Sequence, residues 1–448
     1  MPIEVWYIVA LLAVICVTFI LFKRPIYECM FYGYVLMIIL TREYRNFFAY
    51  VEKTSTDTLF YAIIAFLVLA KVLDATHAID SVVNVILALF GRLPGGAAYT
   101  AVIGSTFMGA LSGSGAGNVA TTGTFTIPTM KKSGMPAHLA ANIEASCSTM
   151  GNMIPPAGVI VAALACYNEF SGAEMSQSTF WIACWGVALW FILQRLLTVF
   201  VFNKYYKVKP MAKEDIPDLK ETLKTGWKNI LLPVIILLPF VLDYFFKATF
   251  FTERLGAGAG NMSSSLLIFT PGIAATYAIA VNWKNVKEMH LVDTVKKSVS
   301  GIVPVGATIF FAYCISNLFA ATNVGTAIGE YFRNWNLSAV ALAFIIPLIT
   351  AILGMVLPGT AQTKIFGTTI VSIFAAAGGN PLLAAVMLPV ITGAMEGITP
   401  PLALCTYAAM GIAESKMKET ILNSLIWVAL HYLLSVVCLL GLLPIMGI

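Results

Sequence analysis

Apolar stretches of spanning length recur from one end of this sequence to the other, and no other feature restricts its fold so severely. A helix needs about 20 mostly apolar residues to cross a hydrocarbon core. Inside lipid every backbone N–H and C=O must find its partner within the protein, which leaves only helices and closed barrels. The runs are long and continuous rather than short and alternating, the pattern of helices. Composition points the same way: 59% of the 448 residues are hydrophobic and 11% are charged, against about 25% charged in soluble domains. The expected fold is an all-α polytopic membrane protein with no separate soluble domain. Residues 5–22 lack a basic leader and a small-residue cleavage site, and read as a retained span. The eight cysteines have no metal or redox spacing, so no disulfide framework is expected. GxSxG, HExxH and P-loop motifs are absent, which leaves hydrolase and ATPase readings without support. The net charge of +5 reads as a topology signal, with no nucleic-acid partner.

About ten full crossings are expected, at 5–22, 25–41, 58–74, 137–168, 178–202, 228–247, 262–281, 299–320, 382–413 and 421–445. Segments 95–130 and 340–375 differ, because SGSGAGN at 112–118 and LPGT at 357–360 interrupt them. Each half is too short to span, so both read as re-entrant hairpins, which are tolerated where protein or a wet cavity surrounds them. Segments 77–92 and 322–337 are short and of mixed polarity, and read as interfacial arm helices. With the N-terminus outside, 18 of the 27 basic residues fall on the cytoplasmic side, 6 outside and 3 (Lys71, Arg195, Lys364) within membrane segments. That bias fits the positive-inside rule.

Pro155-Pro156 and Pro400-Pro401 lie 245 residues apart, and the same offset pairs Gly109 with Gly354, Ser114 with Gly359 and Asn152 with Gly397. Two repeats are expected, 1–205 and 228–448, joined by a cytoplasmic linker at 206–227. Five crossings per half is odd, so the second repeat is inverted. Each repeat carries one hairpin (95–130, 340–375) and one broken helix (137–168, 382–413). Inverted repeats with broken helices near the midplane are a signature of secondary transporters. A channel shares some of these features but is more often a ring around one pore.

The chemistry is expected at the interruptions. Paired prolines remove backbone donors and push the preceding residue out of the helix, which frees carbonyls near the membrane centre. Those carbonyls, with Ser, Thr and Asn oxygens, suit a hard monovalent cation such as Na⁺. Helix N-termini in the same place suit a carboxylate. In the second half, Lys364 just past the hairpin tip is a costly intramembrane charge. It could pair with a substrate carboxylate, pair with Glu396, or snorkel outward. Glu396 at the second break could be a Na⁺ ligand, a proton carrier or the partner of Lys364. Candidate substrate contacts are Asn118, Thr149, Gln362, Thr363, Lys364 and Glu396. Glu144 on the first broken helix could titrate, but a hydrogen-bonding role is favoured. Lys71 and Asp74, three apart on one face, read as a local ion pair. His77, His138, His290 and His431 lack ligand spacing and read as interfacial or packed residues.

The stretch at 66–96, SGSGAGNVATTGTFTIP at 112–128, EASCSTMGNMIPPAG at 144–158, GMVLPGTAQTKIFGTT at 354–369 and EGITPPLALCTYAAMGIA at 396–413 together resemble the large membrane subunit of TRAP (tripartite ATP-independent periplasmic) transporters, within the ion-transporter superfamily. Some traits of the first break also resemble TAXI-type fused permeases, although the chain is too short to include a fused small subunit. The resemblance implies Na⁺-coupled import of an organic acid across a prokaryotic cytoplasmic (inner) membrane by an elevator motion. It implies delivery by an extracytoplasmic substrate-binding protein, an accompanying small four-helix membrane subunit, and no cofactor beyond the coupling ion. Mapped on the family pattern, one Na⁺ site takes Ser112, Ser114, Asn118, Gly151, Asn152 and Ser316. The other takes Gly354, Thr360, Gly393, Gly397 and Thr399. Lys71 and Lys364 depart from the family pattern, in which acidic and uncharged residues are respectively common. A stand-alone carrier of the same superfamily, without a binding protein, is the alternative, and an ion channel a more distant one.

Overall fold

The computed structural model describes residues 2–448 apart from 113–114, 257, 289–290, 325–326, 328–330, 332–336, 356 and 400–402. Among the described residues every regular element is a helix and no strand occurs. The helix Gln177–Tyr205 explains why such a chain needs lipid. Leu189, Leu193, Leu197 and Phe200 are exposed along one face, while Cys184, Val187, Phe191 and Arg195 are buried on the other. The three-to-four spacing is that of one helical face, and the outward face is itself apolar. Its matching solvent is hydrocarbon.

Among the described residues four helices are individually long and apolar enough to cross a bilayer: Gln177–Tyr205, Lys213–Asp243, Ile302–Ala321 and Met417–Leu439. Tyr44–Ser55 with Phe60–Leu73 makes a fifth if that bent pair counts as one span. Other segments expected as single crossings fold as shorter apolar helices, among them Ile3–Phe19, Ile26–Thr41, Gly158–Ser171 and Pro381–Ala394. By length and composition alone, the described residues contain four or five such spans.

The interrupted segments are where the sequence predicts them. The first is a helix pair, Gly96–Ser112 and Gly115–Lys132. The second is Ala339–Leu353 and Gly359–Ala376. Ser338 opens the second pair by accepting a hydrogen bond from the Ala341 amide at 3.2 Å, an N-cap that satisfies one orphan donor of the first turn. The first broken helix runs Ala137–Ser148, tightens into a 3₁₀ turn at Thr149–Asn152, passes the cis Pro155-Pro156 bond, and resumes as Gly158–Ser171. The second starts at Pro381 behind an Asn380 cap, widens into a π turn at Pro389–Ala394 and resumes as Leu404–Ala413. The second Pro-Pro pair lies outside the described residues. The π turn precedes it and was not expected. Pro389 has no amide to donate to the turn before it, and a wider turn at that point leaves a carbonyl open to outside donors.

The linker contains an amphipathic helix, Leu219–Ile230, capped by Asp218, which accepts from the Glu221 amide at 2.9 Å. It packs on the helix Ala78–Phe90, the first expected arm. The second expected arm lies largely outside the described residues. Ile26–Thr41 packs against both Ile3–Cys16 and Leu291–Ala321, and Leu11, Tyr34 and Ile315 are buried in one apolar cluster with Leu357 and Ile365 of the second hairpin.

Candidate functional site

Both helix pairs touch their broken helices through backbone. A Cβ on Gly109 would lie 2.7 Å from the Gly151 Cα, and one on Gly359 would overlap the Gly393 Cα outright. Glycine is required at both approaches because any side chain would push the hairpin off the break. The two breaks also meet each other. The Asn152 side-chain amide donates to the Gly393 carbonyl, so the first interruption is hydrogen-bonded to the second across 241 residues of sequence.

A cavity of about 280 Å³ opens at this junction. Gly115 and Ala116 reach it from the first hairpin, Asn152 from the first break, Pro358 and Thr360 from the second hairpin, and Glu396, Gly397 and Cys405 from the second break. Its opposite wall is apolar, formed by Ile63, Phe66 and Leu67 of one helix and by Pro304, Val305 and Ile309 of another, with Thr308 among them. Glu396 accepts a hydrogen bond from the Gly359 amide, the first residue of Gly359–Ala376. That places a carboxylate at the positive end of a helix dipole.

Asn152, Thr360, Glu396 and Gly397, all expected at the site, line this cavity. Asn118 is fully buried behind it, donating to the carbonyls of Ser105 at 2.9 Å and Ser148 at 3.3 Å. Gly151 and Gly393 form the backbone contacts described above. Gly354 lies against Gln362. The Gln362 amide nitrogen donates to the Leu357 carbonyl at 2.9 Å, while its buried oxygen has no hydrogen-bond partner among the described residues. Thr363 meets the Thr392 hydroxyl at 2.7 Å. Thr399 donates back to the Met395 carbonyl at 2.7 Å. Ser316 is buried on Leu291–Ala321 and is not on the cavity wall. The Ser112 side chain and all of Ser114 lie outside the described residues.

Lys364 is buried with its ammonium 4.6 Å from the centre of the Tyr313 ring. Pairing with Glu396, one of the alternatives for Lys364, does not occur among the described residues, nor does any other ion pair of Lys364, and its cation rests on an aromatic face. The Tyr313 hydroxyl is buried without a partner among those residues. Glu144 is fully buried and gathers Ser105, Thr122, Thr126 and Ser148. Those hydroxyls come from both helices of the first hairpin and from the broken helix itself, so the carboxylate joins the three. Of the Lys71–Asp74 pair, the Asp74 side chain lies outside the described residues. His77 contacts Asp80 at 3.0 Å and His138 contacts Glu419 at 3.6 Å, both near the surface. His290 lies outside the described residues.

Thr149 and His431 belong to a cluster that sequence reasoning missed. Arg195 is fully buried, and all five of its N–H groups find acceptors. Nε donates to the Ser146 carbonyl at 2.9 Å, and Nη1 to the Phe191 carbonyl at 3.3 Å and the Gln194 side chain at 3.2 Å. Nη2 donates to the Thr149 hydroxyl at 3.2 Å and to His431 Nδ1 at 3.4 Å. The other imidazole nitrogen, Nε2, faces the Val390 carbonyl at 3.0 Å. The only sequence signal was a lone arginine inside a spanning segment, which by itself marks a functional or well-partnered charge.

Comparison with known proteins agrees with this architecture. Residues 5–446 match the family model described as "Tripartite ATP-independent periplasmic transporter, DctM component". The chain is 24% identical over 388 residues to the C4-dicarboxylate TRAP transporter large permease protein DctM of Vibrio cholerae, covering 84% of this chain and 82% of that one. It is 23% identical to the 2,3-diketo-L-gulonate TRAP transporter large permease protein YiaN of Escherichia coli, with 84% and 83% covered. It is 22% identical to the isethionate TRAP transporter permease protein DctMQ of Oleidesulfovibrio alaskensis, of whose length it spans 55%. Among solved structures the fold is similar to that of Neisseria gonorrhoeae MtrF, with a TM-score of 0.62 at 16% identity over 90% of this chain and 83% of that one. The Alcanivorax borkumensis YdaH transporter gives 0.59 at 14%, covering 90% and 89%. Hairpins, breaks and a shared cavity thus occur in a chain whose near-complete length fits one family of membrane permeases: the protein belongs to the DctM component family of tripartite ATP-independent periplasmic transporters.

Proposed function

We propose that this chain is the large permease of a Na⁺-coupled importer of an organic acid in a prokaryotic inner membrane. The observation that carries the reading is the 280 Å³ cavity where both hairpins and both breaks converge against an apolar wall. In the proposed arrangement the two halves are inverted repeats, and hairpins and broken helices travel together as an elevator against the helices that carry Ile63, Phe66 and Ile309. An acidic side chain in a site for a carboxylate is unfavourable unless a cation stands between them. Glu396 therefore favours cation coupling. Asn152, Thr360, Gln362 and the carbonyls at the two breaks supply the neutral oxygens that a hard monovalent ion prefers. Lys364 is the candidate counter-charge for the substrate carboxylate. An extracytoplasmic binding protein would deliver the acid and a small four-helix subunit would complete the permease, in keeping with the tripartite family.

Uptake of labelled organic acids into proteoliposomes containing the assembled permease and its binding protein tests this. Replacing Na⁺ by choline should abolish uptake. Undiminished uptake in choline would overturn Na⁺ coupling, and uptake without the binding protein would favour a stand-alone carrier.

A further inference from the structure

Arg195 and His431 sit behind the breaks, away from the cavity, and the carrier reading makes no use of them. Their hydrogen bonds can be counted completely. A guanidinium has five N–H donors and no acceptor, and here each donor has an acceptor. Because Arg195 can only donate, His431 Nδ1 must accept. The imidazole proton then lies on Nε2, which donates to the Val390 carbonyl. The network thus fixes the tautomer of His431. The Phe191 ring packs against the imidazole, tilted by 46° with ring centres 4.6 Å apart.

The ends of this chain of bonds are informative. Ser146 O is among the last carbonyls of Ala137–Ser148 and also accepts from the Thr149 hydroxyl at 2.8 Å; a cation there lies at the negative end of the dipole. Thr149 opens the 3₁₀ turn of the first break. Val390 lies in the π turn of the second, three residues before Gly393. At the cavity, Asn152 already ties the first break to Gly393. The two breaks are therefore linked twice, in front by Asn152 and behind through Arg195 and His431, closing a ring of contacts around the site.

We propose that Arg195 and His431 are positioning residues, a buried strut that holds the two helix breaks in register so that their oxygens face one cavity. The strut itself is independent of which ion or acid is carried; only its effect on uptake rests on the carrier reading. Gln can replace His431 in kind, with an oxygen to accept from Arg195 and an amide to donate to Val390, whereas Leu can do neither.

Backbone hydrogen exchange of the purified full chain tests the strut. Losing His431 removes a direct contact of the second break, so faster exchange at 389–395 alone would be a local effect. The diagnostic segment is 146–154, where Arg195 donates to the Ser146 carbonyl and the Thr149 hydroxyl. The other route to it, the Asn152–Gly393 bond, is controlled by measuring Asn152→Ala alongside. His431→Leu should raise exchange there about tenfold, the effect of one lost charge-assisted hydrogen bond. His431→Gln should restore it to within about twofold, and Arg195→Lys, with three donors instead of five, should raise exchange at both breaks. In uptake assays the half-saturating substrate or ion concentration should follow the same order, with the maximal rate less affected. Unchanged exchange at 146–154 in His431→Leu, or a Gln variant no better than the Leu variant, overturns the strut. If His431→Leu fails to reach the membrane, Arg195→Lys against His431→Gln decides in the same way. Absence of uptake by the wild-type chain would sink the carrier reading and leave the exchange result standing.

Discussion

Asn152 does two things with one side chain: its amide holds Gly393 and its body lines the cavity. Asn152→Ala should therefore raise the Na⁺ concentration needed for half-maximal uptake by about threefold to tenfold, the effect of one neutral hydrogen bond. A Na⁺ titration of initial uptake rates measures it. Lys364 and Tyr313 can be separated by chemistry. A cation over a ring needs the ring and not the hydroxyl, so Tyr313→Phe should leave uptake nearly unchanged. Lys364→Met removes the charge and should raise the KM for the acid by about tenfold to a hundredfold, as loss of a charged hydrogen bond would, with the Na⁺ titration unmoved. A matching shift in both titrations would instead assign Lys364 to the ion site. At this scale the sequence was legible in part. Asn152, Glu396 and Thr360 could be picked out because polar groups beside a helix interruption have few other uses in lipid. Arg195 and His431 could not, because their meeting depends on two long helices, 236 residues apart in sequence, crossing behind the breaks.

The helix pairs and the broken helices meet through glycine, and this defines a test at the scale of elements. A Cβ at Gly109 or Gly359 would meet backbone atoms, which cannot rotate away as a side chain can. Overpacking of this kind costs roughly 1–3 kcal/mol. Gly109→Ala and Gly359→Ala should lower the melting temperature of the purified chain and strongly reduce uptake while the protein still inserts. Gly411, exposed in Leu404–Ala413 with open space around it, is the control. Gly411→Ala should be neutral or stabilising, since alanine is favoured over glycine within a helix by about 0.5–1 kcal/mol. Of the expected interruption at 112–118, residues 115–118 are already helical, whereas the break at 155–156 was legible because proline punctuates helices by its own backbone chemistry. The π turn at Pro389–Ala394 was not. A proline within an apolar run signals a disturbance, but whether the helix kinks or widens depends on what waits to take the released carbonyl. Here a carbonyl within the turn, that of Val390, meets a histidine from another helix.

For the whole molecule, composition alone separated membrane from soluble, and the apolar outward face of Gln177–Tyr205 follows from it. The number of crossings was less legible. Among the described residues several apolar helices are 10–17 residues long, and a residue count does not say which of them pair into one crossing. Orientation has a direct check. The basic linker at 206–227 should lie in the cytoplasm, so a cysteine at Lys213 in an otherwise cysteine-free chain should react with a membrane-impermeant maleimide only in inverted vesicles. One at Arg45 should react only in intact spheroplasts. The opposite pattern would reverse the proposed direction of each hairpin.

The bond from Asn152 to Gly393 ends on a main-chain carbonyl, and the flanking contacts of Gly109 and Gly359 are likewise with main chain. None of these contacts reads the identity of a partner side chain; they ask only that it be absent. For two halves related as we propose, such a junction lets each drift chemically without notifying the other. One half can remain neutral and oxygen-rich while the other acquires a lysine and a glutamate. The kinship would then survive longest in residues whose only message is shape, and the Pro-Pro pairs and Gly109 with Gly354 do match at a spacing of 245.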